Sequence, residues 1–159
     1  MYSEPGEGTT FKIYLPKAEA APVRNTASSS HSKRILVIED DQLIRSLAAT
    51  ILRERGYEVL EAPDGRGALE LCQELDKPID LLITDIGAPG MSGEDLMGFF
   101  AVKYPDLAII HMSGFSRQYL HDSHIIPASS LFLGKPFTVQ ELLGKVQQAL
   151  ESARAKDPE

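Results

Sequence analysis

The chain has a single cysteine, Cys72, which excludes an internal disulfide and a thiolate metal cage. Cys72 falls in a helical pattern with Ala68, Leu69 and Leu75, where a buried small hydrophobe is expected rather than a reactive thiol. A cytoplasmic setting fits this cysteine usage. Long apolar runs are also missing. Stretches such as DLLITDI are strand-sized and far short of a membrane span. The first residues lack the basic, apolar and small-residue regions of a secretory signal. Positive charge is scarce: the formal net charge is −7. That argues against a binder of phosphate backbones and is compatible with a site that collects carboxylates around a cation. No helix-turn-helix comes after Lys135, so direct DNA binding has no support. His31, His111, His121 and His124 show no metal-ligand spacing and are expected in solvated or packing roles. What remains is 43% hydrophobic and 25% charged, the make-up of a soluble globular protein. A length of 159 residues gives room for one ordinary domain plus an appendage.

The appendage comes first. GEGTTFKIYLP, Gly6 to Pro16, sets a glycine-rich turn before an alternating, strand-like run that stops at Pro16. Such turns can hold phosphates through backbone amides, but this one fits neither the dinucleotide fingerprint nor the P-loop. On its residues alone it is a turn feeding an edge strand. Lys17 to Lys33 is rich in Ala and Ser, has no hydrophobic period, and reads as a linker.

From Arg34 the pattern becomes regular. RILVIED is a branched, apolar run suited to a strand covered on both faces. Asp41 caps a helix whose apolar stripe is Ile44, Leu47, Ala48, Ile51 and Leu52, and Gly56 ends it. YEVLEA is a second strand, and Asp64 opens a helix through Ala68, Leu69, Cys72 and Leu75. IDLLITD is a third strand, a helix spans roughly Glu94 to Lys103, and LAIIHMS is a fourth strand. Ser116 to Ile126 carries little apolar stripe and predicts a short or distorted helix. SLFLG is a fifth strand. Thr138 and Glu141 form a capping box before a helix that buries Val139, Leu142, Leu143, Val146 and Leu150. Strands alternating with helices imply an α/β fold, a doubly wound parallel sheet of five strands with helices on both faces.

In such sheets the ligand site lies beyond the carboxyl ends of the strands. The polar residues gather there. Strand one ends in Glu39, Asp40 and Asp41, strand three in Asp85, strand four in Ser113, and strand five runs into Lys135 and Pro136. A lone Asp after a strand is usually a helix cap and a lone Lys is usually solvated, but four successive strand ends argue for a joint role. Carboxyl groups sharing a crevice repel, and Mg²⁺, with its preference for oxygen ligands, is the natural counter-ion. A lysine and a hydroxyl opposite would complete a phosphoryl clamp.

LVIEDD, LLITDIGAPGMSG, HMSG and LGKPF resemble, in order and spacing, the motifs of the response-regulator receiver domain, over about Lys33 to Ala153. The resemblance implies a flavodoxin-like sheet of order 2-1-3-4-5. It implies that Asp85 is the phospho-accepting nucleophile and that Glu39, Asp40 and Asp85 hold Mg²⁺, Asp40 directly and Glu39 through water. The Gly87 carbonyl would be the backbone metal ligand, Ser113 the switch hydroxyl, Phe132 the switch aromatic, and Lys135 the phosphate-facing lysine before a cis bond to Pro136. Asp41 matches no ligand and stays a helix cap. Ala88 stands where the family usually places Met in DxxMPxMxG, which should loosen that loop without removing a functional group. In the family, the side chains two positions after the nucleophile and two after the switch hydroxyl border the path of the attacking water. Here they are Gly87 and Phe115, so slow hydrolysis is expected, while Gly114 leaves room for the phosphoryl group.

The opening segment EPGEGTTFKIYLP resembles the end of a histidine kinase ATP-binding domain, where the last glycine box leads into the final strand. The implied organisation is residues 1–16 as a remnant of that domain, 17–33 as linker, 34–153 as receiver and 154–159 as tail. The remnant lacks the Asn-bearing helix and the earlier glycine box, so neither ATP binding nor kinase activity is expected of it. Met1 is read as an artificial start, with a truncated gene as the alternative. The whole is then the C-terminal module of a hybrid sensor histidine kinase. Its implied partners are the phosphohistidine domain of the parent chain and a separate histidine phosphotransfer protein, with no nucleic acid and no membrane contact. The alternative is a small Mg²⁺-dependent phosphatase with an aspartyl nucleophile. Such enzymes carry a second Asp two residues on, where this chain has Gly87.

Overall fold

The computed structural model describes residues 2–3, 9–10, 32–87, 93–123, 126 and 130–154. The chain divides into two compact units, Met1–Ser30 and His31–Glu159. In the first, Tyr2 pairs with Thr10 and Ser3 with Thr9 in an antiparallel register. The strand-like run of residues 11–16, all of the linker before Ser32, the loop with Ala88, His124 and the tail from 155 lie outside the described residues.

The second unit is the α/β fold that the alternating pattern implies. Its strands are β1 (Arg34–Ile38), β2 (Glu58–Ala62), β3 (Leu81–Asp85), β4 (Ala108–Ser113) and β5 (Leu131–Gly134), all parallel. They lie in the order β2-β1-β3-β4-β5. The helices are α1 (Gln42–Glu54), α2 (Gly65–Glu74), α3 (Gly93–Lys103), α4 (Arg117–Asp122) and α5 (Val139–Arg154). Alternate residues of each strand feed two separate cores. Ile35, Val37, Leu81 and Ile83 pack with Ala48 and Leu52 of α1 and Leu142 and Val146 of α5. Leu36, Ile38 and Leu82 pack with Ala68 and Cys72 of α2 and Leu96 and Phe100 of α3. Cys72 is fully buried, as its helical pattern requires, and burial pushes its thiol above the ordinary value.

Helix ends obey their local chemistry. Asp41 accepts from the Leu43 and Ile44 amides at 2.8 and 3.2 Å. At the other end of α1, Gly56 adopts φ +84° and donates to Arg53, while Tyr57 donates to Leu52. This is a Schellman closure that a β-carbon would strain. Asp64 caps α2 through the Gly67 amide, and Thr138 and Glu141 satisfy each other's amides at 3.2 and 2.7 Å. The polar segment after β4 forms the short helix expected of it, six residues capped by Ser116.

One stripe differs from expectation. In α1 the buried arc is Ala48, Ala49, Ile51 and Leu52, and Leu47 is 54% exposed. The contact with sheet and α5, not apolarity, selects the arc, so a small Ala is taken inside and a Leu is left at the rim. Val139 at the start of α5 is likewise 46% exposed.

Candidate functional site

The parallel ladder ends at Ile38, Asp85, Ser113 and Gly134, so the residues just past these strands emerge at one edge of the sheet. Glu39 is fully buried, Asp85 is half-buried and Asp40 is exposed. Each offers a carboxylate oxygen within 4.8 Å of the others. At that separation each charged pair repels by about 3 kcal/mol at an effective dielectric of about 20. Lys135 reaches in from the end of β5, its Nζ 2.5 Å from Glu39 Oε2 and 3.2 Å from Asp85 Oδ1.

Burial and charge pull in opposite directions here. Burial pushes the Glu39 carboxyl above its ordinary value and Asp85 adds to this, while Lys135 and the Asp41 amide pull it back. For Lys135 burial favours loss of the proton, but Glu39 and Asp85 outweigh it and hold the ammonium above its ordinary value. Among the described residues one ammonium thus pairs with two of the three carboxylates, Glu39 and Asp85. The donor set, all hard oxygen with an exposed member open to solvent, fits Mg²⁺.

On the opposite side of Asp85 lies a cavity of about 390 Å³ bordered by Gly87, Ser113, Phe115, Tyr119 and Lys135. Ser113 is buried; its Oγ accepts from the Phe115 amide at 3.1 Å, which leaves the hydroxyl proton free to donate into the crevice. The Ser113 carbonyl accepts from the Lys135 amide at 2.8 Å. Phe115 and Tyr119 stack at 5.3 Å between ring centroids and are 63% and 53% exposed. A β-carbon at Gly87 would lie 3.4 Å from Asp85 Oδ2.

Glu39, Asp40, Asp85, Gly87, Ser113 and Lys135, singled out from separate strand ends, are therefore brought to one crevice. Lys135 precedes a cis bond to Pro136. Phe132 stands apart from this group, half-buried on β5 opposite His111. Two residues went unremarked in the sequence. Tyr119 hid in a polar segment. Arg45, one turn into α1, donates to the carbonyls of Glu39 and Asp40 at 2.6 and 3.3 Å. Its signal is faint: a basic residue four positions after a capping Asp.

The chain has relatives among known proteins. The sensor kinase CckA of Brucella abortus (strain 2308) is 34% identical over 162 residues, covering 94% of this chain, which spans only 17% of that kinase. The response regulator receiver protein CpdR of the same organism is 35% identical over 121 residues, covering 76% of this chain and 99% of CpdR. Among solved structures, the response regulator protein TrrA of Thermotoga maritima, in complex with Mg²⁺-BeF, is 35% identical with a TM-score of 0.63, covering 74% of this chain and 99% of TrrA. The family model of the response regulator receiver domain matches residues 35–147, from Ile35 in β1 into the last helix. With that match, the sheet order and the acidic crevice in hand, the chain belongs to the response regulator receiver domain family, phosphoacceptors of two-component signalling.

Proposed function

We propose that Asp85 accepts a phosphoryl group from phosphohistidine, with Glu39, Asp40, Asp85 and the Gly87 carbonyl holding Mg²⁺. The observation that carries this reading is the convergence of three carboxylates and one ammonium at the edge of the sheet. The Mg²⁺-BeF bound by TrrA supports the choice of cation. An aspartate needs no base, because it is ionised at neutral pH. One Asp85 oxygen attacks phosphorus in line as the bond from phosphorus to the donor imidazole nitrogen breaks, and that nitrogen keeps the electron pair. Lys135 faces the equatorial oxygens, and the free proton of Ser113 is donated to one of them in the product. The cation, when bound, neutralises charge on the same oxygens.

We further assign residues 1–16 to the end of a kinase ATP-binding domain, 17–33 to a linker, 34–153 to the receiver and 154–159 to a tail, within a cytoplasmic hybrid sensor kinase. The alignment with CckA supports this, because 94% of the chain is more than residues 31–159 alone can supply. The donor is then the phosphohistidine domain of the parent chain, or a histidine phosphotransfer protein acting in relay. Among the described residues no helix is long and apolar enough to cross a membrane.

Incubation with acetyl phosphate and Mg²⁺, followed by intact-mass measurement, tests the reading. One added phosphoryl group is expected, absent without Mg²⁺ and absent in Asp85→Asn. Labelling that persists in Asp85→Asn overturns it.

A further inference from the structure

Beyond Ile38 the ladder between β1 and its neighbours has ended, and the carbonyls of Glu39 and Asp40 lie past its last register position. Arg45 donates to both, at 2.6 and 3.3 Å. Helical side chains lean toward the amino terminus of their helix, which carries this guanidinium back over the first turn. The guanidinium is itself held. Its Nε lies 3.9 Å from Glu61 Oε2 on β2, Glu61 Oε1 pairs with Arg53 at 2.8 Å, and Arg53 donates to the Val59 carbonyl at 2.9 Å. Only 16% of the Arg45 side chain is exposed.

On charge alone this is a poor place for a cation. It sits at the positive end of a helix and beside a site for a second cation. The contacts to the turn must outweigh both effects. We propose that Arg45 is a positioning residue for the metal-binding turn: by tying the Glu39 and Asp40 carbonyls to β2, it fixes the carboxylates of those residues toward Asp85. Groups that orient metal ligands in this way commonly change metal affinity about 10–100-fold when removed. The guanidinium fork gives Nη1 to the two carbonyls and Nε to the side of Glu61, a division of labour that a single ammonium nitrogen does not reproduce.

This inference rests on the proposed Mg²⁺ site, and one experiment separates the two. Mn²⁺ serves as a spin probe, with binding to the full chain read from loss of the free-ion resonance and Asp40→Ala as background. Arg45→Met should weaken Mn²⁺ binding about tenfold. It should shift the Mg²⁺ dependence of acetyl phosphate labelling to higher concentration by the same factor. Arg45→Lys, with charge kept and fork lost, should fall about midway. Unaltered or tighter binding in Arg45→Met overturns the inference, since that is the result of charge repulsion alone. Should Arg45→Met fail to fold, Glu61→Gln leaves Arg45 in place without its anchor and should weaken Mn²⁺ binding about threefold; unchanged binding there is equally fatal. A wild-type chain that binds no Mn²⁺ and takes no phosphate overturns both this inference and the proposed function.

Discussion

At the amino-terminal ends of the strands, Lys33 reaches Asp80 at 2.6 Å, and Arg34 reaches Glu58 at 2.7 Å and Asp76 at 3.5 Å. The Arg34 amide also donates to Asp80, and its guanidinium to the Lys77 carbonyl. Its contacts with Glu58 hold Arg34 charged, above its ordinary value, against the cost of burial. At the carboxyl ends, among the described residues, Lys135 alone forms ion pairs with Glu39 and Asp85, with Asp40 beside them. The same sheet therefore carries two acidic clusters of three. One is offset within the fold by two cations, Lys33 and Arg34, and serves stability. The other is left shorter of positive charge, and that deficit is what a metal cation can fill.

The comparison breaks most completely at Asp40. Asp40→Ala should reduce acetyl phosphate labelling to background, while the melting temperature stays level or rises as repulsion is relieved. Undiminished labelling would remove Asp40 from the metal site. The opposite result is expected at the other end of the sheet. Arg34→Met leaves a partly exposed Glu58 without its cation and should cost roughly 1–3 kcal/mol in a denaturant titration, with labelling retained. A loss of labelling in folded Arg34→Met would mean that the two ends are not separable.

Smaller effects sharpen the active end. Gly87→Asn brings an amide next to Asp85, and Phe115→Ser opens the path of water beside it. Together they should speed phosphate release from purified phosphoprotein roughly fivefold, by orienting a water the native pair does not hold. Unchanged or slower release would reject this account of the cavity. The smallest effect belongs to the middle of the sheet. Burial lowers the proton affinity of His111 below its ordinary value near 6.5, so the unfolded chain binds that proton more readily. Its contribution to stability is complete above that value and is lost as pH falls from there through the lowered value of the folded state. Thermal melts at pH 7.5 and 5.5 should show a smaller acid-induced fall in His111→Leu than in the parent.

How far the sequence announced this depends on whether a residue's role is carried by its own side-chain type. The strand ends were legible because an acidic or hydroxyl residue after an apolar run has few places to go. Caps such as Asp41 and Thr138 were legible because their chemistry is local. Leu47 was not, because the buried arc of α1 is set by contacts with α5 and the sheet. Arg45 was not, because its partners are carbonyls, which every residue possesses. Arg34 opened an apolar strand without any sign that its charge would be buried and matched from three directions.

The amide of Lys135 and the carbonyl of Ser113 are joined at 2.8 Å. The hydroxyl and the ammonium that flank Asp85 therefore hang from a common backbone link and travel as one part. This link leaves less backbone freedom between the two groups to be ordered when a phosphoryl group arrives, so less entropy is surrendered in closing on it. The link also runs in reverse. A pull on the Ser113 hydroxyl is felt at the start of the loop leading to α5, so occupancy of Asp85 has a route of one hydrogen bond from the crevice to the outer surface.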